Sequence, residues 1–296
     1  MLRAMAMLRT TMIKLTTAAL LCATLAGCSL LKKRSQDDGD AGNITSLGAV
    51  ATAELSQITF AKKDPVVGST YNETQTVEMK MDITAPKKES AAFTEKQNEK
   101  VDILATDGKT INKVKVTYSE KTENDGKKTV TSPVSGKTYI AEFKDKKIHV
   151  TDADHKKVSA KEEKTVIGDF DDVLGKPDPL LTGMPGTSLK VGDKADALAE
   201  ALRDLLSGEK SIELTDITVK LKEIAQGAGG KVGIFDVKVK ASVPENPKLT
   251  LDLSGTLSAR ADDSRLLAIL LSGPLTLAGG GVKAEGTAAI TMNRTY

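Results

Sequence analysis

The sequence predicts a β-dominated α+β fold in which two antiparallel β-meanders flank an insert of one or two helices. Apolar and polar residues alternate along most of residues 67–150, as they do in half-buried strands. The spacing becomes helical between about residues 159 and 208, and the alternation then returns. This pattern allows either one strongly curved sheet or two packed sheets.

The first meander contains five predicted strands. In the first of them, apolar residues share one parity, which is typical of an antiparallel strand with one buried face: Tyr71, Val77, Met79, Met81 and Ile83. Four more runs follow at 91–104, 114–118, 139–143 and 148–150. Asp107-Gly108 and Asn124-Asp125-Gly126 are turn and hairpin signals between these runs.

The insert contains two helix signals. Ser159 and Glu162 form a capping-box pattern before apolar residues at helical spacing, and this helix should end before Gly175. We expect its acidic residues to lie on a solvent-facing surface: Asp169, Asp171 and Asp172. Asp193 can cap a second helix, whose apolar stripe comprises Leu198, Leu202, Leu205 and Leu206.

The second meander also contains five predicted strands. A change of apolar parity predicts a β-bulge near Thr215-Asp216, and the glycine-rich segment 227–230 predicts a turn. The run from Leu266 to Leu271 is apolar on both parities, so we expect both faces of this strand to be covered. The second predicted helix could provide that cover.

The N-terminal 28 residues indicate where the protein is located. A basic leader precedes an apolar run of eleven residues, 15–25, which is too short to span a bilayer and suits a signal peptide. The run ends in Leu25-Ala26-Gly27-Cys28, which resembles the lipobox of bacterial lipoproteins. That resemblance implies cleavage between Gly27 and Cys28, acylation of Cys28 and attachment to a membrane by lipid chains.

Cleavage would change the charge and thiol content of the chain. The precursor has 42 basic and 40 acidic residues, and losing Arg3, Arg9 and Lys14 would leave 39 against 40. Such a balance argues against a nucleic-acid partner. Cys22 would leave with the leader and Cys28 would be alkylated, which excludes disulfides and cysteine chemistry in the mature protein.

The sequence therefore divides into a signal peptide (1–27), a lipidated tether (28–50), an N-terminal meander (51–155), a helical and loop insert (156–208) and a C-terminal meander (209–296). Ser29, rather than Asp, follows the lipidated cysteine. By resemblance to Gram-negative lipoproteins, this residue points to the outer membrane rather than the inner membrane. The polar tether with opposite charge clusters is typical of a flexible linker.

The order of meander, helical centre and meander, together with the motif Leu189 to Asp193, resembles a group of bacterial β-rich lipoproteins. That group carries a Trp soon after the Gly-Asp pair, and this chain has no Trp. The resemblance implies a place in the bacterial envelope and no particular activity.

The search for chemistry yields no catalytic, cofactor or metal residues. His149, Asp152, Asp154 and His155 are metal-ligand types, but they fall in a polar loop and favour a solvated surface. The chain lacks the Gly-x-Ser-x-Gly motif of many hydrolases. We therefore expect a protein that is not an enzyme.

Two functions remain. The first is a structural or interaction module of the envelope, with an envelope protein as partner. The alternative is a carrier or receptor that binds a lipid or another apolar ligand in a curved-sheet cavity. Its expected apolar wall comprises Met79, Met81, Leu266 and Leu270.

Overall fold

A computed structural model describes residues 57–85, 88–177, 183–207, 213–227, 229–243 and 248–296. The side chains of residues 204–207 are not described. The predicted class is confirmed, because the protein is β-dominated and α+β, with antiparallel sheets and two helices of eleven and twelve residues among the described residues.

Seven strands lie among the described residues of the N-terminal half. They are β1 (Gln57–Thr59), β2 (Thr70–Ala85), β3 (Glu89–Thr106), β4 (Ile111–Asn124), β5 (Thr129–Thr131), β6 (Thr138–Lys144) and β7 (Lys147–Asp152). The two predicted turns are confirmed: Asp107 Oδ1 accepts hydrogen bonds from the Lys109 and Thr110 amides between β3 and β4, and a hairpin beginning at Asp125 joins β4 to β5. The short strands β1 and β5 were not predicted.

The insert and the C-terminal half complete the chain. They contain α1 (Ala160–Phe170), β8 (Ser188–Lys190), α2 (Asp196–Ser207), β9 (Glu213–Gly227), β10 (Gly230–Val243), β11 (Lys248–Arg260), β12 (Leu266–Gly279) and β13 (Val282–Thr295). The predicted bulge is confirmed, because the register between β9 and β10 shifts at Thr215. The short strand β8 pairs with β1 in a separate two-stranded sheet.

The two meanders form one sheet. Strand β13 pairs with β2 along almost its whole length, which gives the order β7-β6-β4-β3-β2-β13-β12-β11-β10-β9, with β5 beside β4. All the pairings of this eleven-stranded sheet are antiparallel. The centre of the sheet is thus made by strands from opposite ends of the chain.

Both helices begin near the predicted positions. Ser159 and Glu162 form the expected capping box, and α1 ends at Phe170, earlier than predicted. The prediction that Asp193 caps α2 is wrong, because α2 begins at Asp196. The Asp193 carboxylate instead accepts a hydrogen bond from the Lys190 amide at 2.8 Å and closes a turn.

That turn protects one edge of the large sheet. The backbone of Gly192, Asp193 and Ala195 forms three hydrogen bonds of 2.8–2.9 Å with Val219 and Leu221 on β9. Gly192 has a φ of +98°, a conformation that glycine adopts without strain. This turn therefore occupies backbone hydrogen-bonding groups of β9 that an exposed strand edge would offer to another chain.

The inner face of the sheet, which faces the helices, carries two apolar cores. The large core joins α2 to residues of β2, β3 and β9–β13, and it includes Met79, Phe93, Leu198, Leu221, Phe235, Leu257 and Leu275. The small core joins α1 to residues of β2–β4, β6 and β7, and it includes Val101, Val116, Tyr139, Val166 and Phe170. Because α2 lies mainly against β9 and α1 mainly against β6 and β7, the sheet must curl to bury its central strands.

Three glycines mark a diagonal crease across β11, β12 and β13. A Cβ atom at Gly255, Gly273 or Gly286 would overlap a backbone carbonyl oxygen of the neighbouring strand. Each of these glycines occupies an inward position of its strand. Gly273 lies two residues from the register partner of Gly255, and Gly286 lies two residues from the register partner of Gly273. The crease therefore needs residues without side chains, which allow the strands to bend towards the helices.

Candidate functional site

A band of buried polar side chains separates the two cores on the inner face. We call it the polar seam, and it comprises Glu73, Gln75, Glu95, Gln97, Glu99, Lys121, Asp169 and Arg294. Strands β13, β2, β3 and β4 provide seven of these residues, and the end of α1 provides Asp169. Buried ionisable groups are rare in proteins unless they are paired.

At one end of the seam, Arg294 is paired with Glu73, its register partner on the neighbouring strand. Arg294 Nε donates a hydrogen bond to Glu73 Oε2 at 2.8 Å, and Nη2 donates to the same oxygen. The guanidinium lies 4.5 Å from the centre of the Tyr71 ring. Burial is the largest effect on the pKa of Arg294 and lowers it, but the Glu73 carboxylate together with Tyr296 and Tyr71 outweighs burial, and the pKa is raised.

At the other end, α1 places Asp169 over β4. Lys121 Nζ donates to both carboxylate oxygens of Asp169, at 2.6 and 2.8 Å, and the Tyr118 hydroxyl donates to Oδ2 at 2.7 Å. Burial is the largest effect on the pKa of Lys121 and lowers it, but the combined effect of Asp169, Glu95 and Glu99 outweighs burial, and the pKa is raised. The expectation that Asp169 faces solvent is wrong, because it lies three residues from Val166 on the buried side of α1.

Between these pairs lies Glu99, the register partner of Glu73 on β3. Burial raises the pKa of Glu99 to about 8, and the carboxylates of Glu73 and Asp169 add to the increase. Gln97 Nε2 donates to Glu99 Oε2 at 2.9 Å. Glu99 is therefore largely protonated at neutral pH, and the middle of the seam carries less negative charge than its sequence indicates.

The structure brings together three of the four residues of the expected apolar wall. Met79, Met81 and Leu266 all lie in the large core. Leu270 does not join them, because its side chain points to the outer face and is 55% exposed. The expectation that both faces of this strand are covered is therefore wrong. A register shift near Ala259 places both Leu266 and Leu271 on the inner face, although their parities differ.

Helix α2 packs on the inner face rather than behind β12. Leu198 and Leu202 are buried in the large core. The space between α2 and Phe235 has a volume of only about 10 Å³. The apolar wall is thus covered by the protein's own helix in this conformation.

A second, open groove of about 430 Å³ lies between the N-terminal end of α1 and strand β6, and its lining includes Tyr139, Asp152 and Glu162. Lys137 Nζ and the Tyr139 hydroxyl both donate to Glu162 Oε1 at 2.8 Å. The nearby group His149 to His155 does not assemble a metal site: within the described part of the chain, no three His, Cys, Asp or Glu side chains are arranged to hold a metal ion.

The predicted cleavage and lipidation site, Gly27 and Cys28, lies outside the described residues, as do the signal peptide and the tether. Among the helices that the structure describes, none is long and apolar enough to cross a bilayer.

Sequence reasoning missed the polar seam, although the alternation contains a signal for it. Glu73 and Gln75 have the same parity as Tyr71 and Val77, where a half-buried strand should carry apolar residues. The same signal recurs on β3, β4 and β13 where polar residues occupy inward positions: Glu95, Gln97, Glu99, Lys121 and Arg294. Polar residues at inward positions on several strands indicate a buried polar site once the pairing of the strands is known.

No protein-family model and no curated protein sequence matches the chain. Among solved structures, the chain is similar to DynF from the dynemicin biosynthesis pathway of Micromonospora chersina, with 10% sequence identity over 84% of this chain and 92% of that chain. The TM-score of this comparison is 0.19, a value at which no common fold or function is established.

Proposed function

We propose that the protein is a lipid-anchored, non-enzymatic binding protein of the bacterial envelope, which holds an amphipathic ligand on the inner face of its curled sheet. The lipobox supports the anchor, and Ser29 supports the outer membrane as its location. Of the two functions that the sequence left open, the inner face favours the carrier or receptor.

The polar seam is the observation that carries this proposal. A protein that uses its sheet only as a scaffold gains stability from an apolar core, whereas buried charges have a large desolvation cost. Here seven polar side chains of the sheet cross the middle of its inner face between two apolar cores, and Asp169 joins them from α1. A polar band between two apolar surfaces is complementary to a molecule that has both a polar group and hydrocarbon chains.

Binding of a hydrocarbon chain to the large core requires helix α2 to move. A site for such a ligand needs at least about 300 Å³, far more than the space beneath the helix. The apolar atoms of the ligand would take the place of Leu198 and Leu202. The contacts that the sheet loses when α2 moves away would thus be replaced by contacts with the ligand. We propose α2 as the mobile cover of the ligand site.

Native mass spectrometry of the mature protein, purified from its own membrane in a mild detergent, tests this function. We expect one non-covalent amphipathic molecule per protein, in addition to the mass of the acyl chains on Cys28. Protein that has been unfolded, stripped of lipid and refolded should take up the same molecule again from a lipid extract. If both preparations contain only the covalently acylated protein, with no additional bound molecule, the proposal is contradicted.

A further inference from the structure

Gln75 and Gln97 lie opposite each other at the centre of the polar seam. They are register partners on the adjacent strands β2 and β3, and each is only 4% exposed. Side chains that are directly opposite in an antiparallel pair have their Cβ atoms about 4.5–5.5 Å apart, so the two amides line one small region of the inner face.

The hydrogen bonds of these amides are incomplete. Gln97 Nε2 donates to Glu99, but within the described residues Gln97 Oε1 and both polar atoms of Gln75 have no hydrogen-bond partner. Each buried polar group without a partner costs about 1–3 kcal/mol. Nearly all buried polar groups in native proteins are satisfied, so three unpartnered atoms at one place indicate a missing partner.

The charged groups around the amides are largely engaged with one another. Arg294 is paired with Glu73 on one side, and Lys121 is paired with Asp169 on the other. Even with Glu99 protonated, the seam contains three other carboxyl groups, on Glu73, Glu95 and Asp169, against two cationic groups. An anionic ligand group would therefore meet carboxylates without a free counter-charge.

We propose that Gln75 and Gln97 form a subsite for an uncharged hydroxyl group of the ligand, an inference that rests on the proposed function. The unpartnered atoms comprise a donor, Gln75 Nε2, and two acceptors, the Oε1 atoms of both residues. A hydroxyl group donates one hydrogen bond and accepts others, so it can serve both kinds of atom. A phosphate monoester dianion only accepts and an ammonium only donates, so each would leave part of the amide pair unsatisfied.

The test compares two lipids with the same hydrocarbon chains. Dioleoylglycerol carries a free hydroxyl, and dioleoylphosphatidic acid carries a phosphate at the same position. Each lipid is added in detergent to the mature, delipidated protein, and bound lipid is measured by native mass spectrometry. We expect dioleoylglycerol to bind about tenfold more tightly or better, which corresponds to about 1.4 kcal/mol or more.

Two variants locate the site. Gln75→Met and Gln97→Met keep the length of the side chain and remove the amide, so each should weaken dioleoylglycerol binding about tenfold while leaving dioleoylphosphatidic acid binding within about twofold. Ser242→Ala is the matched control, because Ser242 is also buried with no described partner for its hydroxyl but lies on β10, away from the seam. It should leave the binding of both lipids unchanged.

The outcomes separate the two proposals. Equal binding of the two lipids, or tighter binding of the phosphate, overturns the hydroxyl subsite and leaves the proposed function in place. Unchanged dioleoylglycerol binding in both Met variants also overturns it and indicates that the amides hold buried water only. Failure of every lipid to bind, together with lipid-free protein from the native membrane, overturns both proposals.

Discussion

Lys121 on β4 and Asp169 at the end of α1 form a buried ion pair, with Nζ 2.6 Å from Oδ1 and side chains that are 8% and 4% exposed. This contact connects the helix directly to the polar seam. Because the two residues come from separate elements and are 48 positions apart, the pair also fixes how α1 lies across the sheet.

Removing one partner of this pair should be far more damaging than removing both. Asp169→Leu leaves a buried ammonium without its carboxylate and should lower the free energy of unfolding by about 3–5 kcal/mol, whereas Lys121→Met with Asp169→Leu should restore most of the loss. Urea denaturation of the single and double variants measures this. Asp252→Asn in the exposed Lys240–Asp252 pair is the control and should cost less than about 1 kcal/mol. A loss of similar size at both sites would contradict the burial of the seam.

Glu99 should make the stability depend on pH. Its pKa of about 8 in the folded protein lies above its ordinary value, so the folded state holds a proton that the unfolded state releases. The free energy of unfolding should therefore fall as the pH rises from about 4.5 to about 8, by up to about 1.4 kcal/mol per pH unit from this group, and then level off.

Glu99→Gln should remove that part of the pH dependence. Denaturation of the wild type and the variant at pH 5, 6.5 and 8 should show a difference that grows in favour of the variant as the pH rises. Glu78→Gln, on the exposed face of β2, is the matched control and should keep the wild-type slope. A constant difference between Glu99→Gln and the wild type across this range would show that Glu99 is ionised in the folded protein.

The crease predicts opposite effects for two Gly-to-Ala changes. At Gly273 the added methyl group meets the carbonyl oxygen of Asp252, so Gly273→Ala should destabilise the protein by more than about 2 kcal/mol. At Gly168, inside α1, no atom beyond the adjacent residues and the helix backbone lies within 4 Å of an added Cβ, so Gly168→Ala should stabilise by about 0.5–1 kcal/mol. Thermal unfolding of both variants checks this, and a tolerated Gly273→Ala would disprove the tight bend.

If α2 covers the ligand site, shortening one of its buried side chains should favour ligand binding and lower the stability of the fold. Leu202→Ala removes buried apolar atoms and should cost about 2–4 kcal/mol of stability, yet raise lipid occupancy. Val166→Ala in the small core should also destabilise, by about 1–3 kcal/mol, without a gain in binding. Equal or reduced occupancy in Leu202→Ala would argue against α2 as the cover.

The anchor is tested independently of the fold. Only the thiol of Cys28 can form the thioether, so Cys28→Ser should leave an unprocessed and unacylated precursor. Mass spectrometry of the membrane fraction, with metabolic labelling by a fatty acid, measures both properties. Acylated protein of mature mass in this variant would refute the lipobox.

Local chemistry made much of the fold predictable. Turn residues such as Asp107 and the capping box at Ser159 act through neighbours within a few positions, so the sequence reveals them directly. The bulge at Thr215 was visible as a change of parity for the same reason. The extended strands β2 and β3 followed from simple alternation.

The candidate site depends on contacts between distant residues and was not predictable in this way. Arg294 and Glu73 are 221 positions apart, and only the pairing of β13 with β2 brings them together. Leu270 was misplaced because an extra residue in β12, Leu267, shifts the register against β11 and places Leu266 and Leu270 on opposite faces. Position along the sequence determines the parity of a residue, but the pairing of strands determines its neighbours.

The pairing of β2 with β13 also constrains the order of folding. These are the first and last long strands of the sheet, so its middle cannot close before nearly the whole chain is available. Until then each half presents an unpaired strand, and contacts of such long range are slow to form. A chain whose synthesis stops before residue 282 would leave the edges of β2 and β12 open to pair with another copy, so truncation should produce aggregates rather than a smaller stable protein.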